Sequence, residues 1–217
     1  MHRTAVRHLK KRDPVLARII ERVGVCRFET RREGAHFDYV ARAIIYQQLS
    51  GSAAGTIHRR FTEIFGGRAP TPAELLATPE ERLRAAGVSR QKIGYLLDLA
   101  RKAHGNEVDF ENLHELDDAA IVESLTRVKG VGVWTAQMFL MFRLGRPDIL
   151  PDLDLGIRKG IQRAYGLRKE PKTERVHKIG SAWAPYRTIA CWYLWRSLEL
   201  VEPARTPTKR RRVNGKR

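Results

Sequence analysis

The segment from Val128 to Thr135, which reads Val-Lys-Gly-Val-Gly-Val-Trp-Thr, has the most specific chemistry in this sequence. Two glycines two positions apart let a chain turn sharply between helices, because glycine adopts positive φ and allows another backbone to come close. The first N–H groups of the second helix then face solvent, where a phosphate can accept them and the helix dipole favours its charge. We therefore predict phosphate contacts at Lys129, Gly130, Val131, Gly132 and Thr135.

The carbonyl groups of the same loop offer a second binding site. Carbonyls of Val128 and Val131 could hold a structural monovalent cation, Na⁺ or K⁺, that bridges to the phosphate, and no cofactor is predicted. An ordinary helical hairpin punctuated by glycine is the alternative. Spaced apolar residues around the turn and the basic composition of the chain favour contact with DNA.

This hairpin resembles that of the helix-hairpin-helix superfamily of DNA glycosylases, although relatives usually have Pro where Lys129 stands. The superfamily follows its hairpin with a Gly/Pro-rich loop and a catalytic aspartate. About twenty residues beyond the hairpin, this chain reads Leu-Pro-Asp-Leu-Asp-Leu-Gly-Ile-Arg-Lys from position 150. The resemblance assigns the catalytic role to Asp154, with Asp152 in reserve.

A carboxylate suits this reaction because loss of a base leaves positive charge on the sugar, which a fixed negative charge stabilises. The same group can orient or deprotonate the attacking water. The alternative is that Asp154 only caps the helix that follows, since Asp is common at that position.

Further matches to the superfamily concern the pocket for the damaged base. Trp134 stands where lyase-type relatives carry a nucleophilic Lys, so no Schiff base to the sugar is expected. The closing segment from Trp183 to Arg196 resembles the 3-methyladenine DNA glycosylase II family, in which Trp replaces Tyr186 and faces the extruded base. Trp134, Met138 and Tyr186 are therefore predicted to line the pocket, and Arg187 to bind DNA. Core packing is predicted for Trp192 and Trp195.

An earlier segment, from Ile44 to Ser50, resembles the segment with which members of the family fill the space that a flipped base leaves in the duplex. Filling this space offsets the loss of stacking. Gln48 is our candidate for the intercalating residue, and a buried capping glutamine is the alternative.

Helices must position these residues, because apolar residues recur at helical spacing and strand-like alternation hardly occurs. Helical stripes are predicted at 37–48, 53–65, 72–86, 89–104, 117–126, 131–144 and 186–197. The stretch 131–144 is apolar almost all round, which predicts a fully buried helix. Ser50 or Ser52 is expected to cap the second stripe.

We predict an all-α, two-lobed helix-hairpin-helix glycosylase fold with the active site in the cleft between the lobes. Residues 1–50 form the first part of the terminal lobe, and residues 51–144 form the lobe with the hairpin. Residues 145–203 hold the aspartate loop and complete the terminal lobe, and residues 204–217 form a basic tail. The resemblance begins near residue 35, and the 34 residues before it are expected to be too few for the α/β domain of larger relatives, so we expect a short, wholly helical member.

The charge of the chain supports a polyanionic partner. The formal net charge is +17, and removing the seven cationic residues between 205 and 217 still leaves +10. Cys26 and Cys191 are the two cysteines, which excludes a four-cysteine iron–sulfur cluster and suggests a reducing compartment. No signal peptide or membrane span is evident, so we expect the protein in the cytoplasm, at the nucleoid or in the nucleus, and not secreted. We also expect it to be a monomer.

The sequence thus predicts a monofunctional DNA glycosylase that flips alkylated bases, 3-methyladenine and 7-methylguanine, out of double-stranded DNA. Asp154 would assist hydrolysis of the N-glycosidic bond in base excision repair. One alternative is a non-catalytic hairpin module that docks DNA for a partner. Another is a glycosylase for a different lesion, such as a glycosylase/lyase for oxidised bases.

Overall fold

The computed structural model of the protein describes residues 2–200, and no β-strand occurs among them. The predicted all-α class is therefore confirmed. The α-helices are α1 (Arg3–Arg12), α2 (Pro14–Val23), α3 (His36–Tyr46), α4 (Gly51–Glu63), α5 (Pro72–Ala77), α6 (Glu80–Ala85), α7 (Arg90–His104), α8 (Asp118–Thr126), α9 (Val133–Met138), α10 (Leu155–Ala164), α11 (Thr173–Gly180) and α12 (Arg187–Glu199). Short 3₁₀ turns lie at Leu113–Glu115 and Ser181–Trp183, and a π-helical segment at Phe139–Leu144 extends α9. The predicted basic tail lies outside the described residues.

Local sequence signals explain where several helices begin. Ser50 caps α4 by accepting the Ala53 N–H, as predicted. Pro79 divides the predicted helix at 72–86 into α5 and α6, because a residue before proline favours extended backbone and Thr78 adopts it (φ −83°, ψ 125°).

The stretch at 131–144 differs from its prediction at its first turn. Val133 and Trp134 are each 46% exposed, although the rest of the segment is largely buried. Two apolar side chains therefore face outward at the hairpin, and the prediction of a helix buried on all sides is wrong there.

Both ends of the described chain build one lobe, in which α12 packs on α10, α2 and α1. A buried carboxylate joins its parts, since Asp13 accepts the N–H groups of Val15 and Leu16 at the start of α2. Asp13 also accepts the Tyr165 hydroxyl after α10 and, at 2.8 Å, the indole N–H of Trp183.

The other lobe contains the hairpin, and α3 packs there against α4, α7 and the π-helical segment. We therefore propose a boundary near residue 35 in place of the predicted one at residue 50. Buried Arg143 fixes the chain before α3, where its guanidinium donates to the carbonyls of Arg31, Glu33 and Gly34 and to Nδ1 of His36. Burial and the charge of Arg143 lower the pKa of His36, which suits a neutral ring that accepts this hydrogen bond.

None of the helices in the described part of the chain is long and apolar enough to cross a membrane. Cys191 is buried and Cys26 half-buried, and both are free thiols.

Candidate active site and DNA-binding surface

The hairpin joins α8 to α9, and its two glycines serve different purposes. Gly130 has a φ of +79°, and a Cβ atom there would lie 2.2 Å from the ring of Tyr95, so glycine is required on both counts. Gly132 has a φ of −96°, and a Cβ atom would meet nothing within 4 Å. The expectation of positive φ is therefore correct for Gly130 and wrong for Gly132. The open space at Gly132, the N-cap of α9, leaves room for a ligand to approach the helix start.

A buried carboxylate supports this loop from behind. Asp98 of α7 accepts the backbone N–H of Lys129 at 2.8 Å and pairs with Lys102 at 3.0 Å. Burial raises the pKa of Asp98, but the Lys129 N–H and the Lys102 ammonium outweigh it, and the pKa falls below its ordinary value. The Lys129 side chain is exposed, as a phosphate contact requires. Thr135 is buried, so its contact with a phosphate would have to use the backbone N–H.

The carbonyl pair proposed for a cation has one internal partner, because the Val128 carbonyl accepts the Val131 N–H at 3.0 Å. The cation at Val128 and Val131 stays a prediction. Among the described residues, no group of three or more His, Cys, Asp or Glu side chains is arranged to hold a metal ion.

Asp154 lies where the two lobes meet, and three N–H groups hold its carboxylate. Oδ1 accepts the Ile157 N–H at 2.8 Å, so Asp154 is the N-cap of α10. Oδ1 also accepts the Trp195 indole N–H at 2.9 Å. Oδ2 accepts the Trp134 indole N–H at 2.7 Å. Capping alone explains one of these bonds, whereas the two indoles come from the hairpin helix and from the last helix.

Gly156 is what allows Trp195 to reach the carboxylate. A Cβ atom at Gly156 would lie 2.8 Å from Cδ1 and 2.9 Å from Nε1 of Trp195. The Trp195 ring also stacks on Phe142, with centroids 5.9 Å apart. Trp195 was predicted to pack in the core, and its bond to Asp154 was not foreseen, since nothing local in the sequence pairs residues on different helices.

The two candidate aspartates have different surroundings. Asp152 lies 3.5 Å from Nε2 of His177 on α11, and its backbone carbonyl accepts from Arg158. Of the two acids, Asp154 is the one bonded to the predicted pocket residue Trp134.

A cavity of about 640 Å³ opens beside the hairpin. Five residues predicted to bind DNA or base line it, namely Gln48, Gly130, Trp134, Thr135 and Met138. The rest of the lining was not predicted from the sequence: Arg31, Tyr39, Ala43, Tyr46, Gln47, Gln91, Lys92, Tyr95 and Phe142. Most of the aromatic lining therefore comes from α3, α7 and the π-helical segment.

Several predicted site residues are not among those lining this cavity: Asp154, Tyr186 and Arg187, and the hairpin residues Val128, Lys129, Val131 and Gly132. Asp154 reaches the cavity through its bond to Trp134, whereas Tyr186 and Arg187 have other partners. The half-buried ring of Tyr186 meets the edge of the His8 ring, with centroids 5.2 Å apart. Arg187 forms a two-pronged ion pair with Asp148, with both N–O distances 2.7 Å. Burial raises the pKa of Asp148, but the hydrogen bonds and charge of Arg187 outweigh it and lower that pKa. A phosphate contact by Arg187 would therefore compete with a formed pair.

Gln48 lies in the loop between α3 and α4, two residues past the last helical residue Tyr46. Its side chain is exposed and its φ is +57°. The alternative of a buried capping glutamine does not fit this position.

These features together define a helix-hairpin-helix protein with a carboxylate at the junction of its lobes. A profile of the HhH-GPD superfamily of base excision DNA repair proteins matches residues 41–185. The chain is 35% identical over 198 residues to DNA-3-methyladenine glycosylase 1 of Schizosaccharomyces pombe, covering 90% of this chain and 87% of that one. It is 32% identical over 198 residues to the alkylbase DNA glycosidase-like protein mag2 of the same yeast, covering 90% and 93% of the two chains.

A solved structure of the Schizosaccharomyces pombe 3-methyladenine DNA glycosylase Mag1 in complex with abasic DNA matches the fold. The TM-score is 0.81 at 35% identity, and the match covers 91% of this chain and 97% of that one. The chain belongs to the HhH-GPD superfamily of base excision DNA repair proteins.

Proposed function

We propose that the protein is a monofunctional DNA glycosylase that releases alkylated bases from double-stranded DNA in base excision repair. The observation that carries this proposal is the carboxylate of Asp154, which three N–H donors hold. One of these donors is Trp134, which belongs to the second helix of the hairpin and lines the aromatic cavity. The names of the two yeast relatives, which describe alkylated-base glycosylases, agree with it.

The hydrogen bonds decide which carboxylate oxygen can act. A carboxylate has about four acceptor positions, two on each oxygen. Oδ1 of Asp154 fills both of its positions, whereas Oδ2 fills one with the Trp134 indole. Oδ2 therefore keeps one position for the attacking water or for the positive charge that develops on the sugar. Since the side chain at position 134 is an indole and not an amine, water is the nucleophile and no Schiff base forms.

The electron-rich rings of the cavity favour positively charged leaving groups, whereas Arg31 and Lys92 in the same lining oppose them, so the weakness of the glycosidic bond carries most of the selectivity. Electron-rich rings attract a cation by roughly 0.5–2 kcal/mol, depending on desolvation. 3-Methyladenine and 7-methylguanine carry positive charge in DNA, so their glycosidic bonds are already weak and need no protonation. We propose release of 3-methyladenine first and 7-methylguanine second, with uracil and 8-oxoguanine slow or inert.

Free base released from methylated DNA, measured by chromatography, tests this function. Asp154→Asn keeps the size and the capping oxygen of the side chain but loses its charge, so release should fall to background while DNA binding persists. Asp152→Asn is the matched control and should excise at nearly the unmodified rate. If Asp152→Asn were the more damaging change, Asp152 would be the catalytic residue. If both variants excised normally, neither aspartate would be the catalytic residue. The glycosylase proposal would fail if the unmodified protein released no base, and faster release of uracil than of 3-methyladenine would overturn the substrate assignment.

A further inference from the structure

The loop that carries Gln48 needs support from its neighbours. Its φ of +57° lies in the left-handed region that residues other than glycine seldom adopt. Such a conformation persists where surrounding contacts hold it, and it is frequent at functional sites. The contacts on either side of Gln48 therefore determine whether it is presented to DNA.

Lys92 of α7 makes two of these contacts. Its ammonium donates to the carbonyl of Ile45 at 2.7 Å and to the carbonyl of Gln47 at 2.6 Å. Both carbonyls lie at the C-terminal end of α3, where backbone acceptors lack helical partners and the dipole is negative. Burial lowers the pKa of Lys92, and the two carbonyls offset part of that desolvation. Lys92 thus fixes the backbone immediately before Gln48.

Gln47 connects the same loop to the hairpin. Its side-chain amide donates to the carbonyl of Gly130 at 2.8 Å. Gly130 in turn lies against the ring of Tyr95, which is on the same helix as Lys92. The loop with Gln48 and the phosphate-binding hairpin are therefore bonded to each other and to α7.

A third residue of α7 completes the connection, because Asp98 accepts the Lys129 N–H of the hairpin. Lys92, Tyr95 and Asp98 follow each other at intervals of three along the helix, a spacing that places successive side chains close together on its surface.

We propose that Lys92 and Gln47 are positioning residues that hold Gln48 in register with the hairpin, so that phosphate binding and insertion into the duplex occur together. This inference rests on the proposed glycosylase function. Both residues also line the cavity, but the Lys92 ammonium and the Gln47 amide are bonded to protein carbonyls. Their loss should therefore matter less for a base that is already outside the stack.

The test compares two DNA contexts under single-turnover conditions, with 7-methylguanine either paired with cytosine or placed in a one-nucleotide bulge. Extrusion costs less for an unpaired base, so the bulge depends less on insertion. Lys92→Met keeps the aliphatic stem and removes the donors. Lys92→Met should lower the single-turnover excision rate by about tenfold in the paired duplex and by less than about threefold in the bulge. The reason is that only the paired base must be separated from a partner before it can leave the stack. Arg90→Met removes one charge from the same helix at an exposed position and should lower both rates equally and slightly.

A double-mutant cycle with Gln48→Ala shows whether Lys92 acts through Gln48. If it does, Lys92→Met adds no further loss in the Gln48→Ala background. Equal losses in both DNA contexts, or fully additive losses in the cycle, would overturn the inference. Gln47→Leu provides the same two comparisons should Lys92→Met fail to fold. If the unmodified protein released no base from either context, the proposed function itself would be wrong, and this inference with it.

Discussion

Replacing Trp195 with Phe tests the arrangement around Asp154 most directly. The change removes the indole N–H that Oδ1 of Asp154 accepts at 2.9 Å, but it leaves an aromatic ring to pack on Phe142. Without that bond, two N–H donors instead of three hold the carboxylate, so its plane is less firmly fixed.

A hydrogen bond to a charged group contributes about 1.5–3 kcal/mol, and about 1.4 kcal/mol corresponds to a tenfold change in rate. Full loss of the bond would therefore slow excision by roughly 10- to 150-fold if all of it acted in the transition state. Trp195 is half-buried, so water can replace part of the missing donor, and we expect a fall of about tenfold, at the lower end of that range. Trp134→Phe should have a smaller effect, because that indole is 46% exposed and water replaces it more easily.

The assay is the single-turnover rate of 3-methyladenine release at saturating protein, with unfolding free energy measured in parallel. Trp192→Phe removes the same atoms from the same helix at a ring that packs edge-on against Tyr193, and it is the matched control. The expected result is a loss of rate in Trp195→Phe beyond that in Trp192→Phe, with little change in the protein concentration needed for saturation. Equal rates in two folded variants would show that the Trp195 indole does not hold the catalytic carboxylate.

Three further predictions concern other parts of the molecule. Borohydride should trap no covalent protein–DNA adduct, because Trp134 stands where lyase-type relatives have a nucleophilic lysine. A strong adduct would make Lys129 the first residue to test as a nucleophile. Deleting residues 205–217 should weaken binding to all duplex sequences and make the salt dependence shallower by a slope of about 0.9 for each phosphate that the tail neutralises, with single-turnover excision hardly changed. A large fall in excision would instead assign the tail a part in the active site. Because the pKa of His36 is lowered in the folded state, the unfolded chain takes up its proton first as pH falls, so stability should decrease below about pH 6.5. His36→Asn keeps an acceptor for Arg143 and should flatten this decrease in chemical denaturation between pH 8 and 5, whereas parallel curves for the two proteins would contradict the assignment.

Features set by neighbouring residues could be predicted from the sequence. The glycine spacing of the hairpin located the turn that the structure contains, because positive φ at Gly130 is a local requirement. Asp154 was likewise named as a possible cap of the helix that follows it, and it caps α10. The position of Pro79 was visible too, but its effect on the helix at 72–86 was underestimated.

Features that depend on tertiary packing could not be predicted in this way. The ion pair of Arg187 with Asp148, which lies 39 residues earlier in the chain, was not predicted, and a DNA contact by Arg187 stays a prediction. Such pairs depend on where the loop before α10 folds against α12, and helical periodicity does not encode that pairing. For the same reason the aromatic lining from α3 and α7 was missed, since each ring fits a core stripe on its own helix as well as it fits a cavity wall.

The capping role and the proposed catalytic role of Asp154 were alternatives in the sequence, and the geometry makes them compatible. Capping uses Oδ1, which receives the Ile157 N–H and the Trp195 indole and has no acceptor position left. This fixes the plane of the carboxylate, so Oδ2 is held on the side of Trp134 and the hairpin. A cap worth about 1 kcal/mol to α10 thereby also orients the oxygen that would face the sugar. Gly156 belongs to the same arrangement, because any larger residue would push Trp195 away from Oδ1 and free the carboxylate to turn.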